Sequence, residues 1–271
     1  MIESGPTSRI PNFGHFLFFL FLSIFSLGLS EVLILGLAHG IPVEAVLKDQ
    51  RLQLFANVLT YLIAVGIAFF AMPVFWHRPF VVGLQWNVGK VRWWFGLAGL
   101  VVGFAAQSVT VFIPHPKELP IEEIFHNPAL IWFMVLFGVV IGPLFEEIMF
   151  RGFLLPAIAI AVDWVRIPRG GDELVSLENL IAWRSSTSYS NVALIVSSIL
   201  TSALFALIHA PQLGYTMPAL ALLMCVSIGL GFVRIRTGSV SSSAFVHGCY
   251  NLSIFLTLFV STSGFRHLEK M

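Results

Sequence analysis

Seven stretches of this chain are each long and apolar enough to cross a lipid bilayer, and that restricts its fold more than any other feature. They lie near 13–37, 53–76, 92–113, 129–162, 191–209, 215–235 and 239–264. Roughly 20 apolar residues in helical form span ~30 Å of hydrocarbon. In lipid every backbone N–H and C=O must find its partner within the protein, which leaves helices or a closed barrel. The expected fold is therefore all-α, a multi-pass transmembrane helical bundle of about seven to eight helices. Composition agrees: 57% of residues are hydrophobic and 11% charged, against about 25% charged in soluble domains. The first stretch is read as a retained helix, because its apolar run outgrows the roughly 7–15 residues of a signal-peptide core.

The fourth stretch is the longest and contains Pro143 and Pro156. Each removes a backbone donor and favours a kink, so a bent helix is expected, or a spanning helix followed by an interfacial one. The alternation of loops puts Arg9, Arg78, Lys90, Arg92, Arg166, Arg169, Arg184, Arg234 and Arg236 on one side, and Lys48, Arg51, Lys117, Arg266 and Lys270 on the other. The basic excess places the N-terminus inside. Cys225 and Cys249 both fall in apolar segments and read as small buried hydrophobes. The longest polar stretch, 163–190, carries Leu174, Leu177, Leu180 and Ile181 at a spacing that predicts a short surface helix. A net charge of +1 gives no case for nucleic-acid binding.

Ionisable residues at membrane depth are costly and are functional suspects by default. Here they are Glu31, Glu146, Glu147, Arg151, His209 and His247, with the amide Asn251 beside them. Glu147 and Arg151 stand four apart and share a helix face, as an ion pair requires. Glu146 points ~100° away, so it is left to face a polar cavity. A structural ion-pair network is the plainer reading of the cluster, but two carboxylates exceed what one arginine needs. His209 shares a face with Phe205, and Pro211 ends that helix. His247 and Asn251, also four apart, can address one point, although helix–helix hydrogen bonding would equally use such a pair. By the nominal boundaries, His209 lies near the outer end of its segment and His247 nearer the inner end of its own. Glu31 is read as a buried or rim group with a local partner. Taken together, two carboxylates, two imidazoles and an amide are the groups needed to activate a water and stabilise an oxyanion. No Gly-x-Ser-Gly, membrane aspartate dyad or His-Glu-x-x-His helix is present.

Gly142-Pro143-Leu144-Phe145-Glu146-Glu147-Ile148-Met149-Phe150-Arg151-Gly152 resembles the EExxxR motif of the CAAX protease and bacteriocin-processing (CPBP) family. Phe205-Ala206-Leu207-Ile208-His209 resembles its FxxxH motif, and His247-Gly248-Cys249-Tyr250-Asn251 its HxxxN motif. The resemblance covers roughly 130–255; the first three apolar segments carry no signature. It divides the chain into a cytoplasmic tail (1–12), N-terminal transmembrane helices (13–128), a CPBP-like catalytic core (129–264) and a C-terminal tail (265–271).

The resemblance implies an intramembrane endopeptidase cutting near the membrane surface. In it Glu146 activates water with help from His209, His247 and Asn251 form an oxyanion hole, and Glu147 and Arg151 support the site. It also leaves a zinc site possible, held by Glu146, His209 and His247, with metal-free chemistry preferred. The implied partners are a lipidated or membrane-associated peptide or protein and the bilayer, in a plasma membrane if prokaryotic or the endoplasmic reticulum if eukaryotic. Two rival readings are a non-catalytic scaffold or regulator of the same family, and an ion-coupled transporter, which the lack of internal repeats disfavours.

Overall fold

The structure, a computed structural model, describes residues 9–112, 130–170 and 172–267. Its helices are α1 (Phe13–Leu37), α2 (Val43–Lys48), α3 (Gln50–Trp76), α4 (Phe80–Gly83), α5 (Trp93–Thr110), α6 (Ile131–Val165), α7 (Glu173–Ser185), α8 (Asn191–Ile208), α9 (Met217–Thr237) and α10 (Val240–Ser261). All but α2, α4 and α7 are long and apolar enough to cross a membrane. No strand occurs among the described residues. The chain is an all-α, multi-pass integral membrane protein.

Polar caps just outside the apolar runs set the helix ends. The Asn12 side chain accepts from His15 N, while His15 Nδ1 accepts from Asn12 N, which closes the first turn of α1. Asp49 caps α3 through Arg51 N at 2.8 Å, so that helix starts upstream of the hydropathy boundary. Ser190 caps α8 through Ala193 N. Gly238, at φ +60, stops α9, a backbone conformation that favours glycine.

α1 packs on α3, and α5 lies along α10. The second contact depends on small residues: Gly96, Gly99, Gly103 and Ala106 are the buried positions of α5. A Cβ on Gly99 would stand 2.5 Å from the Val246 carbonyl oxygen, and one on Gly103 would overlap Ser253. Phe19, Trp76, Phe80, Leu84, Phe145, Phe153 and Val240 then gather α1, α3, α4, α6 and α10 into one apolar cluster. Within it Phe19 stacks on Phe153 at 4.5 Å and Tyr61 on Phe145 at 3.9 Å.

Several expectations change. α6 runs continuously from Ile131 to Val165, with π-helical turns at Phe137–Ile141 and Ile148–Leu154, ahead of Pro143 and Pro156, so the alternative of a spanning helix followed by a separate interfacial one does not hold. Cys225 is exposed rather than buried and Cys249 half-buried; a thiol is apolar enough to face lipid. Glu31 Oε2 is buried without a hydrogen-bond partner among the described residues. The predicted surface helix is α7, capped by Asp172 through Leu174 N at 3.0 Å. Lys117 and Lys270 lie outside the described residues.

Candidate active site

Each proline in α6 leaves a carbonyl without its backbone donor, and the motif residues are built around that vacancy. In the first π turn Gly142 N–H reaches back five residues to Phe137 O. The next donor in that pattern would be Pro143, which has no N–H, so Gly138 O needs another partner. Asn251 Nδ2 of α10 supplies it at 2.7 Å. The second π turn repeats the arrangement. Leu155 N–H bonds Phe150 O, Pro156 has nothing to give Arg151 O, and Arg234 Nε of α9 donates there at 3.3 Å. Glu146 and Glu147 lie between these two fixed points, and Arg151 is the second of them.

Glu147 and Arg151 are both fully buried and pair at 2.8 Å. The guanidinium also donates to Ser227 O at 2.9 Å and Ser227 Oγ at 2.7 Å, and lies 4.9 Å over the Phe205 ring. Glu147 Oε1 additionally meets His247 Nδ1 at 3.1 Å. Both contacts fall on the same carboxylate oxygen. Glu146 differs: its side chain is 23% exposed. Its Oε1 stands 3.9 Å from His209 Nε2, and its Oε2 stands 3.7 Å from His247 Nε2.

The tautomer of His209 follows from its other nitrogen. Nδ1 lies 2.7 Å from Phe205 O, a carbonyl that only accepts, so Nδ1 carries the hydrogen. Nε2 of the neutral ring is then a lone pair facing an ionised carboxylate. Two acceptors across 3.9 Å make no bond with each other, but a water can donate one hydrogen to each. His247 Nδ1 likewise faces an acceptor, the Glu147 carboxylate, and carries a hydrogen. The arrangement can thus hold a water between His209 and Glu146 and take its proton.

The separation in depth between His209 and His247 is reconciled by the packing. Asp163 Oδ1 and Ser190 Oγ, 2.6 Å apart, level the ends of α6 and α8. Counted from there, Glu146 lies ~25 Å along α6 and His209 ~28 Å along α8. α10 starts deeper: Val240 is fully buried in the cluster that contains Phe153, and His247 is reached about two turns later, level with Glu146.

All six motif residues thus come to one region, but Asn251 has one amide hydrogen committed to Gly138 O. Among the described residues no trio of His, Cys, Asp or Glu is arranged to hold a metal ion, so the zinc trio converges without ligand geometry. The three motifs do not contain Ser227, Arg234 or the Gly138 carbonyl, and Arg234, counted above among the loop cations, is buried in α9 instead. The proline five residues after each orphaned carbonyl was the available signal.

Residues 128–253, a little under half of the chain, match the family model of type II CAAX prenyl endopeptidase Rce1-like proteins. The uncharacterized protein YyaK of Bacillus subtilis (strain 168) is 32% identical over 119 residues, which cover 42% of this chain and 39% of that protein. The chain therefore matches about two fifths of the relative's length. No solved structure matches. The region that matches the family model contains the three motifs and both π turns. α1, α3 and α5 lie outside the region.

Proposed function

We propose that the protein is an intramembrane endopeptidase that hydrolyses a peptide bond near the membrane surface with a water activated by Glu146 and His209. The observation that carries this reading is the contrast between adjacent carboxylates: Glu147 is fully buried and paired, whereas Glu146 is partly open and faces two imidazoles at 3.9 and 3.7 Å. Glu146 takes a proton from the water, and the hydroxide oxygen bonds to the scissile carbonyl carbon. The carbonyl electron pair moves onto oxygen. His247 in its imidazolium form, held by Glu147 at Nδ1, donates from Nε2 to that oxyanion. The remaining amide hydrogen of Asn251 is a second donor. Collapse re-forms the C=O and breaks the C–N bond, and the proton held by Glu146 passes to the leaving amine. A lipidated or otherwise membrane-proximal peptide is the substrate class, since the groups lie within spanning helices.

The purified protein in nanodiscs should cleave a lipidated peptide. Glu146→Gln should lower cleavage by at least about 10²-fold, the usual worth of general acid–base catalysis, with little change in thermal stability. Undiminished cleavage by that variant would eliminate the glutamate mechanism.

A further inference from the structure

At the end of the bundle where α1 begins, α3 and α6 end and α8 starts, a polar cleft of about 80 Å³ opens. Arg9, Arg78, Gln85, Ser186, Thr187 and Tyr189 line it. That is room for several waters or a small anion. Its charge is positive. Arg9 is partly neutralised, since Nη1 lies 3.3 Å from Asp163 Oδ2 and Nη2 donates to Ser188 O. Arg78 is exposed and has no ion pair among the described residues. Arg234 reaches the lining through Gln85 Oε1 at 2.6 Å. Tyr189 lies within electrostatic reach of Arg9 and Arg234. Burial raises its pKa, so at neutral pH it is an O–H donor. Apolar surface adjoins the cleft: Phe13, Val74 and Phe75 are all exposed, with Phe75 against Phe18 of α1 at 5.5 Å. A cationic cleft at the level of helix ends, beside exposed apolar side chains, matches the two parts of one ligand.

We propose that this cleft binds the phosphate headgroup of an anionic phospholipid, with its acyl chains along the exposed face of α1 and α3. Basic pockets between spanning helices recognise such headgroups, and each Lys or Arg near the surface is worth about 1 kcal/mol of attraction.

The test uses the full chain in phosphatidylcholine nanodiscs with and without phosphatidylglycerol, read by native mass spectrometry for retained lipid and by thermal unfolding. Wild type should retain phosphatidylglycerol over phosphatidylcholine and unfold later when it is present. Arg78→Ala should reduce that retention about fivefold. Thr187→Asp, which places a negative charge in the cleft, should abolish it while unfolding normally in phosphatidylcholine alone. Arg51→Ala, at the opposite end of α3, should change nothing. Equal retention of the two lipids, or full retention by both cleft variants, would overturn the proposal. Equal stabilisation by millimolar inorganic phosphate in phosphatidylcholine would reassign the cleft to free phosphate. Displacement of the lipid by a peptide with a free C-terminal carboxylate, lost in Arg78→Ala, would reassign it to peptide carboxylates.

Discussion

Glu146 and Glu147 are chemically identical and one residue apart, yet one is closed into an ion pair and the other is open. Arg151 makes the difference by pairing with Glu147 at 2.8 Å and tying it to Ser227 of α9. Removing one member of a fully buried pair strands the other and costs about 3–5 kcal/mol. Arg151→Ala should therefore lower thermal stability together with cleavage, and Glu147→Gln with Arg151→Met should regain stability because no lone charge remains. An Arg151→Ala protein that melts like wild type but is inactive would make Arg151 a contact to substrate instead. The ionisable residues were legible because charge in an apolar run is conspicuous. Ser227 was not: one hydroxyl in a spanning helix looks like any other, and half of its contact with Arg151 is through its backbone carbonyl.

At the level of elements, the spanning helices were legible to within a few residues, since hydropathy marks lipid contact directly. The π turns were not, because backbone hydrogen-bond phase has no compositional signature. Their coupling to neighbouring helices makes a sharp expectation. Asn251→Ala orphans Gly138 O, whereas Pro143→Ala offers that carbonyl a backbone donor. Unfolding of the two single variants and the double variant should show coupling of about 0.5–3 kcal/mol, the range for groups in contact; additive effects would separate the proline from the amide. The α5–α10 contact gives a second expectation. A methyl on Gly99 must displace the backbone of α10 at Val246, which carries His247 next in line. Gly99→Ala should reduce both cleavage and melting temperature, while Gly66→Ala in α3, where a Cβ meets nothing within 4 Å, should reduce neither.

For the whole molecule, three separate helices bring the motif residues together, and α1, α3 and α5, outside the region that matches the family model, hold those helices in place. Motif order and apolar segments were enough to anticipate the convergence of α6, α8 and α10. They did not reveal how far α10 is recessed, because that depth is fixed by Val240 packing among Phe153, Leu84 and Trp76. If the chemistry proceeds with Glu146 and the two imidazoles alone, purified protein should hold well under about one zinc per chain, and a strong zinc chelator should leave cleavage unchanged; loss with recovery on adding zinc would show a metal-dependent site. The first π turn has a further consequence, for transplanting the site. Successive residues of a helix differ by ~100° in azimuth, and a single surplus residue shifts the phase by the same ~100°. The five residues Phe137–Ile141 hold such a surplus about one turn before the two glutamates. Grafting the Glu-Glu motif onto a regular helix would thus turn the wrong carboxylate toward the imidazoles, and only a graft that includes the irregular turn would present Glu146.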